Sequence, residues 1–173
     1  MNLKEGMSGK TPLLTIIGKS NSGKTTFLEK LIPELKKRGY RVATIKHHSH
    51  PGFEIDQPGK DSWRYAQAGS DVVILASPGK LASIQKLEGE LSLDEIARRV
   101  HEVDIILTEG YKSAGKPSIE ICRAERGLEL ISDPNQLLAV VSDTQLEIDR
   151  PQFDIDDVSG VADFIEEWIR TQI

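Results

Sequence analysis

Gly18-Lys19-Ser20-Asn21-Ser22-Gly23-Lys24-Thr25 matches G-x-x-x-x-G-K-[ST] at every fixed position. An apolar run, Leu13-Leu14-Thr15-Ile16-Ile17, leads into it. A helical pattern carried by Phe27, Leu28, Leu31, Ile32 and Leu35 leads out. That strand–loop–helix setting predicts a phosphate-binding loop, or P-loop, and with it a nucleoside triphosphate site. Gly18 and Gly23 are expected to let backbone N–H groups curl around the polyphosphate, and the helix to direct its positive end at the same anion. Lys24 is placed to reach the β- and γ-phosphates, and the Thr25 hydroxyl to ligate Mg²⁺. Asn21, Ser22 and Thr26 complete the nucleotide contacts expected from the loop and first helical turn.

On either side of this stretch, apolar segments alternate between strand and helix patterns. Strands are expected at 13–17, 41–46, 71–76, 103–108, 117–123 and 137–141. A strand at 81–87 returns after the turn Pro78-Gly79 and makes a hairpin with 71–76. Helices are expected at 24–38, with a kink or tightened turn near Pro33, then from about 61 to 66, at 93–100 and at 158–170. The alternation predicts an α/β fold in three layers: a mostly parallel sheet between helices, with a β-hairpin excursion. No repeat or composition break divides residues 1–173, so a single nucleotide-binding domain is expected, with a loose segment over 1–12.

In such a sheet a ligand lies beyond the carboxyl ends of the strands. That rule selects the P-loop, Lys46-His47, Ala76-Ser77, Glu109-Gly110 and Ser142-Asp143. It rejects Asp104, about 16 Å from Glu109 along the same strand. Glu109 reads as the acid that holds Mg²⁺ or positions an attacking water, and Lys46 as a nucleotide contact. Asp56 and Asp61 lie in the polar stretch after the second strand, as candidate Mg²⁺ ligands or neighbours of the reacting phosphate. For Asp61, helix capping stands as the other reading. Asp143 is the candidate reader of guanine, since a carboxylate can accept from both N1–H and the 2-amino group. The histidines His47, His48 and His50 invite either a metal site or hydrogen bonding near phosphate. Lys19 either points to solvent or reaches a phosphate across a dimer interface.

Composition bounds the rest. The chain has 173 residues, 28% charged and 38% apolar, with a net charge of −5. This argues against non-specific binding to nucleic acid or anionic membranes. No apolar run has transmembrane length and the start lacks a signal-peptide core, so a cytoplasmic location is expected. The lone cysteine, Cys122, sits in an apolar strand and reads as a buried packing residue.

Taken together, several segments resemble the molybdopterin-guanine dinucleotide biosynthesis protein B (MobB) family. They are residues 25–33 (Thr-Thr-Phe-Leu-Glu-Lys-Leu-Ile-Pro), 38–42 (Arg-Gly-Tyr-Arg-Val), 45–48 (Ile-Lys-His-His) and 56–62 (Asp-Gln-Pro-Gly-Lys-Asp-Ser). Residues 68–69 (Ala-Gly), 108–112 (Thr-Glu-Gly-Tyr-Lys) and 141–143 (Val-Ser-Asp) complete the set. The resemblance spans nearly the whole chain. It implies a GTP-binding, slowly hydrolysing homodimer that assists the guanylyltransferase MobA, which attaches GMP to molybdopterin. It implies phosphate and Mg²⁺ roles for Gly23, Lys24 and Thr25, and places Asp56, Asp61 and Glu109 around the metal. The loop at 47–52 departs from the family's usual length and spacing, so no histidine role carries over. A metallochaperone-type GTPase and a small-molecule kinase are the rival readings.

Overall fold

The computed structural model describes residues 10–48 and 52–172. Contacts divide the chain into two compact units, one built from residues up to His47 and from Leu93 onward, the other from His48–Ser92. Residues 1–9 of the loose segment expected over 1–12, and His50, lie outside the described residues.

The first unit carries a six-stranded sheet. Its strands are β1 (Leu13–Ile17), β2 (Val42–Lys46), β5 (Ile105–Glu109), β6 (Ser118–Cys122), β7 (Leu137–Ser142) and β8 (Gln152–Asp154), in the order β2-β5-β1-β6-β7-β8. Every pairing in it is parallel. All five residues of β1 and of β6 are buried, which explains why these strands read as near-continuous apolar runs. Helices α1 (Lys24–Lys37) and α4 (Val158–Arg170) cover one face. Leu28, Leu31 and Leu35 of α1 and Val161, Ile165 and Ile169 of α4 pack there on Leu14, Ile16, Leu107 and Ile121. Burying each large apolar side chain contributes about 1.5–3 kcal/mol. The other face holds α3 (Leu93–Ala97), with Leu93 and Ala97 against Leu13 and Ile106.

Arg38, at the end of α1, ties the two covering helices together. Its guanidinium donates to Glu34 on α1 and to Asp163 and Glu166 on α4. At the amino end of β5, Asp104 accepts from the Arg41 backbone at 2.6 Å and from its guanidinium at 2.9 and 3.1 Å. The carboxylate that the strand-end rule rejected is thus consumed by a structural ion pair. On β6, Glu120 is 1% exposed, because the 128–132 segment closes over that face. Its carboxylate accepts the N–H groups of Ile131 and Ser132 at 2.9–3.1 Å.

Within the second unit, α2 (Asp61–Gln67) packs on a hairpin of β3 (Val72–Ser77) and β4 (Lys80–Gln85). Pro78 and Gly79 form the two-residue turn, as the sequence predicts, and Val73 is buried on the α2 side. The capping reading of Asp61 is corrected here. The N-cap is Lys60 without a side-chain cap, and Asp61 is the first helical residue, 82% exposed with Arg64 at 3.8 Å. Two further differences stand out. Strand β8 falls in a stretch read as a link. The regular part of α3 stops at Ala97, followed by looser turn bonds to Val100. Helix α1 runs through Pro33.

Candidate functional site

The P-loop leaves the carboxyl end of β1, between the ends of β5 and β6. Its first glycine is demanded by that neighbour. A Cβ on Gly18 would lie 2.4 Å from the Ile121 carbonyl oxygen and 2.6 Å from Ser22 Oγ, at φ +151°. The last loop glycine, Gly23, turns the chain into α1 at φ +91°. Asn21 also takes positive φ, +59°. Ser22 is buried at 1% exposure, and its hydroxyl has no hydrogen-bond partner among the described residues.

Helix α1 starts without a side-chain cap and with no acidic residue in its first turn. The N–H groups that open a helix have no intrahelical acceptor, so this end, carrying Lys24, Thr25 and Thr26, keeps its positive character toward the loop. Lys24 Nζ folds back along the loop and donates to the carbonyls of Gly18 at 3.0 Å and Lys19 at 2.8 Å. Burial lowers its pKa, Glu109 opposes that fall and Lys46 adds to it. A cation destabilised in this way gains from an anion drawn into the loop.

Beside it, the Thr25 hydroxyl donates to both oxygens of Glu109, at 3.2 and 3.0 Å. Lys46 stands opposite Glu109 in the β2–β5 register, with Nζ 3.4 Å from Oε1. Thus Gly18, Asn21, Ser22, Gly23, Lys24, Thr25, Lys46 and Glu109 share one end of the sheet. Hydroxyl and carboxylate oxygens on adjacent elements are hard donors, the type Mg²⁺ takes alongside phosphate and water. Among the described residues no three His, Cys, Asp or Glu side chains form a metal-ligand group. His47 packs its ring on Tyr111, centroids 4.7 Å apart, and His48 on Phe53 at 5.5 Å.

Two strands along from β1, Asp143 follows β7. Its Oδ1 accepts the Ala124 N–H at 2.9 Å, and its Oδ2 lies 3.8 Å from an Arg123 nitrogen. A cavity of about 250 Å³ opens beside it, lined by Thr144, Gln145, Gln152 and Phe153 among others. Asp56 and Asp61 belong to the other unit. There, Asp56 Oδ1 accepts the Gln57 N–H at 2.8 Å, and its Oδ2 is buried with no hydrogen-bond partner among the described residues. The Lys19 ammonium donates to the carbonyls of Arg126 and Gly127, at 3.2 Å each. Cys122 is buried as expected, and burial pushes its thiol pKa up.

A family model described as "MobB: Molybdopterin guanine dinucleotide synthesis protein B" matches residues 13–143. The chain belongs to the MobB family. It is 44% identical over 165 residues to the molybdopterin-guanine dinucleotide biosynthesis adapter protein of Haemophilus influenzae, covering 94% of this chain and 92% of that one. The Escherichia coli adapter protein of the same name is 41% identical over 175 residues, with 96% and 99% covered. Among solved structures, a crystal structure of molybdopterin-guanine biosynthesis protein B superposes with TM-score 0.70 at 34% identity, over 90% of this chain and 99% of that one. The Bacillus subtilis MobB structure gives TM-score 0.71 at 28% identity, over 90% and 96%. The MobB match spans both the P-loop and Asp143.

One residue at this edge escaped the sequence reading. Arg123 follows β6, which pairs directly with β1, and its guanidinium lies against Gly23. The strand-end rule that selected Lys46, Glu109 and Asp143 would have found it, had it been applied to the alternating strand at 117–123.

Proposed function

We propose that this MobB-family chain is a GTP-binding protein with weak GTPase activity that serves as an adapter in molybdopterin guanine dinucleotide biosynthesis. The observation that carries the nucleotide reading is the arrangement of Lys24, Thr25 and Glu109 around the P-loop. The adapter role is the one named for its Haemophilus influenzae and Escherichia coli relatives. Lys24 would bind the β- and γ-phosphates and the first turn of α1 the phosphate oxygens. Thr25 and Glu109 would hold Mg²⁺. When bound, Mg²⁺ would stabilise charge developing on the transferring phosphate. Glu109 is the candidate for orienting the attacking water. Slow turnover without a stimulating partner is the usual behaviour of a GTPase whose charges are fixed in this way.

The partner in this reading is the guanylyltransferase MobA, with molybdopterin as the shared pathway substrate. A homodimer draws support from the hairpin, where Val72, Ile74, Leu75 and Leu81 are 44%, 61%, 43% and 70% exposed. No described helix is long and apolar enough to cross a membrane. The lone, buried Cys122 fits a reducing cytoplasm.

Calorimetry with GTP and ATP, each with and without Mg²⁺, tests the reading. GTP is expected to bind more tightly than ATP, by on the order of 1.5–3 kcal/mol if Asp143 accepts from the guanine edge. Asp143→Asn should remove much of that preference, because its NH₂ meets a donor with a donor. Equal binding of GTP and ATP by the wild-type protein would overturn the GTP assignment. A full preference in the Asn variant would move base recognition to the backbone of the 142–147 segment.

A further inference from the structure

We propose that Arg123 is a phosphate-contacting residue of the nucleotide site, a second cation delivered to the P-loop from the neighbouring strand. The inference rests on the nucleotide reading above and deepens it. Cys122 ends β6, whose register places Ile17 opposite Glu120, so the chain emerges at Arg123 beside the start of the loop. A Cβ built on Gly23 would lie 3.5 Å from Arg123 Nη2 and 3.7 Å from Nε. The guanidinium therefore sits in van der Waals reach of the residue immediately before Lys24.

Its bonding sets it apart from the structural arginines of this molecule. Arg41 meets Asp104 at 2.9 and 3.1 Å, and Arg38 meets Glu34 and Glu166 at 2.9 Å. Arg123 is only 35% exposed, yet its guanidinium makes no hydrogen bond among the described residues. The nearest carboxylate oxygen, Asp143 Oδ2, is 3.8 Å away, close enough to steer the charge and too far to accept from it. Guanidinium presents five N–H donors in a planar fork that fits phosphate oxygens two at a time. A half-buried fork without an acceptor, beside a loop built to hold phosphate, is placed for that ligand.

The turn carrying Arg123 is held against the loop from both sides. Lys19, inside the P-loop, donates to the carbonyls of Arg126 and Gly127. Asp143 accepts the Ala124 N–H, and a 3₁₀ turn over Ala124–Arg126 closes the segment. Two groups of the nucleotide edge thus fix the backbone that follows Arg123, and its side chain keeps its donors for the ligand. In this role Lys19 and Asp143 are positioning residues for the arginine.

The test is calorimetry of the wild type, Arg123→Gln and Arg123→Lys with two Mg²⁺-loaded ligands, GTP and inorganic tripolyphosphate. Tripolyphosphate has no base, so it isolates the phosphate contact. The Gln variant is expected to weaken both ligands by a similar factor, about tenfold to a hundredfold, the range for hydrogen bonds to a charged group. The Lys variant should recover part of that loss, since it restores charge without the fork. If Gln does not fold, judged by its urea midpoint, Lys carries the test and should lose about threefold to tenfold on both ligands. Variants that match the wild type on tripolyphosphate overturn the proposal, whatever happens to GTP. In that outcome, wild-type binding of GTP leaves the nucleotide reading standing. Wild-type protein that binds neither ligand overturns both.

Discussion

Helices α1 and α4 lie side by side on one face of the sheet, yet their N-termini are treated in opposite ways. At α4, the Asp157 carboxylate caps the helix and accepts the Gly160 N–H at 2.9 Å. At α1, the residue before the helix is Gly23, which has no side chain to offer, and the first turn holds no acid. The charges nearby are Lys24 on the loop carbonyls, Lys46 beside Glu109 and Arg123 against Gly23. A helix that only had to be stable would be capped as α4 is, at a gain of about 1 kcal/mol. The comparison separates a capped end from an uncapped one that, in the proposed function, receives an anion.

The sharpest way to break it is Lys24→Ala. This change should weaken GTP binding about a hundredfold or more, since in the proposed site the ammonium would supply direct charge to the phosphates. The fold should be retained, because Lys24 makes no core contact; thermal unfolding beside calorimetry checks both halves. Unchanged affinity in a folded variant would remove the phosphate role of the α1 end.

Glu109→Gln comes next. Mg²⁺-dependent GTP hydrolysis should fall about tenfold or more, while GTP affinity changes less, because the lost charge matters most when phosphate charge moves. Phosphate release under saturating GTP measures it. Equal rates in variant and wild type would make Glu109 only an anchor for Thr25 and Lys46.

The other side of the comparison is tested by Asp157→Ala. Loss of the cap should lower stability by about 1 kcal/mol in urea unfolding and leave GTP affinity unaltered. A clear loss of affinity would show that the two helix ends are coupled, and would blur the distinction between them.

The smallest effect belongs to α3, whose first-turn Asp94 accepts from Lys10 at 2.6 Å and Lys116 at 2.7 Å. Those two hydrogen bonds, Lys10 first, lower its pKa from 3.8 to about 2. Because the folded state holds the carboxylate ionised, its contribution is present above pH 4 and is lost as pH falls toward 2. Asp94→Asn should cost at most about 1 kcal/mol at pH 7, as expected for a partly exposed pair. The gap between variant and wild type should close between pH 4 and 2. A gap of constant size across that range would assign the effect to packing.

Much of this architecture is local and therefore legible in the chain. The P-loop motif, the apolar runs of β1, β5 and β7, the Pro78-Gly79 hairpin turn and the inward stripe of α4 all follow from periodicity and turn chemistry. Strand β8 was missed because three residues at an edge, Gln152, Phe153 and Asp154, carry too short a pattern to register. Capping of α2 by Asp61 was misplaced by one residue, since an acid in the first turn and an acid at the cap look alike in sequence.

What the sequence determined by itself was the kind of chemistry: a glycine-framed loop between strand and helix, with a lysine and a hydroxyl behind it. What only the tertiary structure decided was which distant residues meet that loop. Asp104 and Glu109 are both acids on one strand, but the amino end pairs Asp104 with Arg41 and the carboxyl end gives Glu109 to Thr25. Gly18 is required by the Ile121 carbonyl, more than a hundred residues away in the chain. Arg123 reaches Gly23 only because β6 pairs with β1. Strand order is set by long-range pairing and the burial of whole faces, and no window of sequence contains that information.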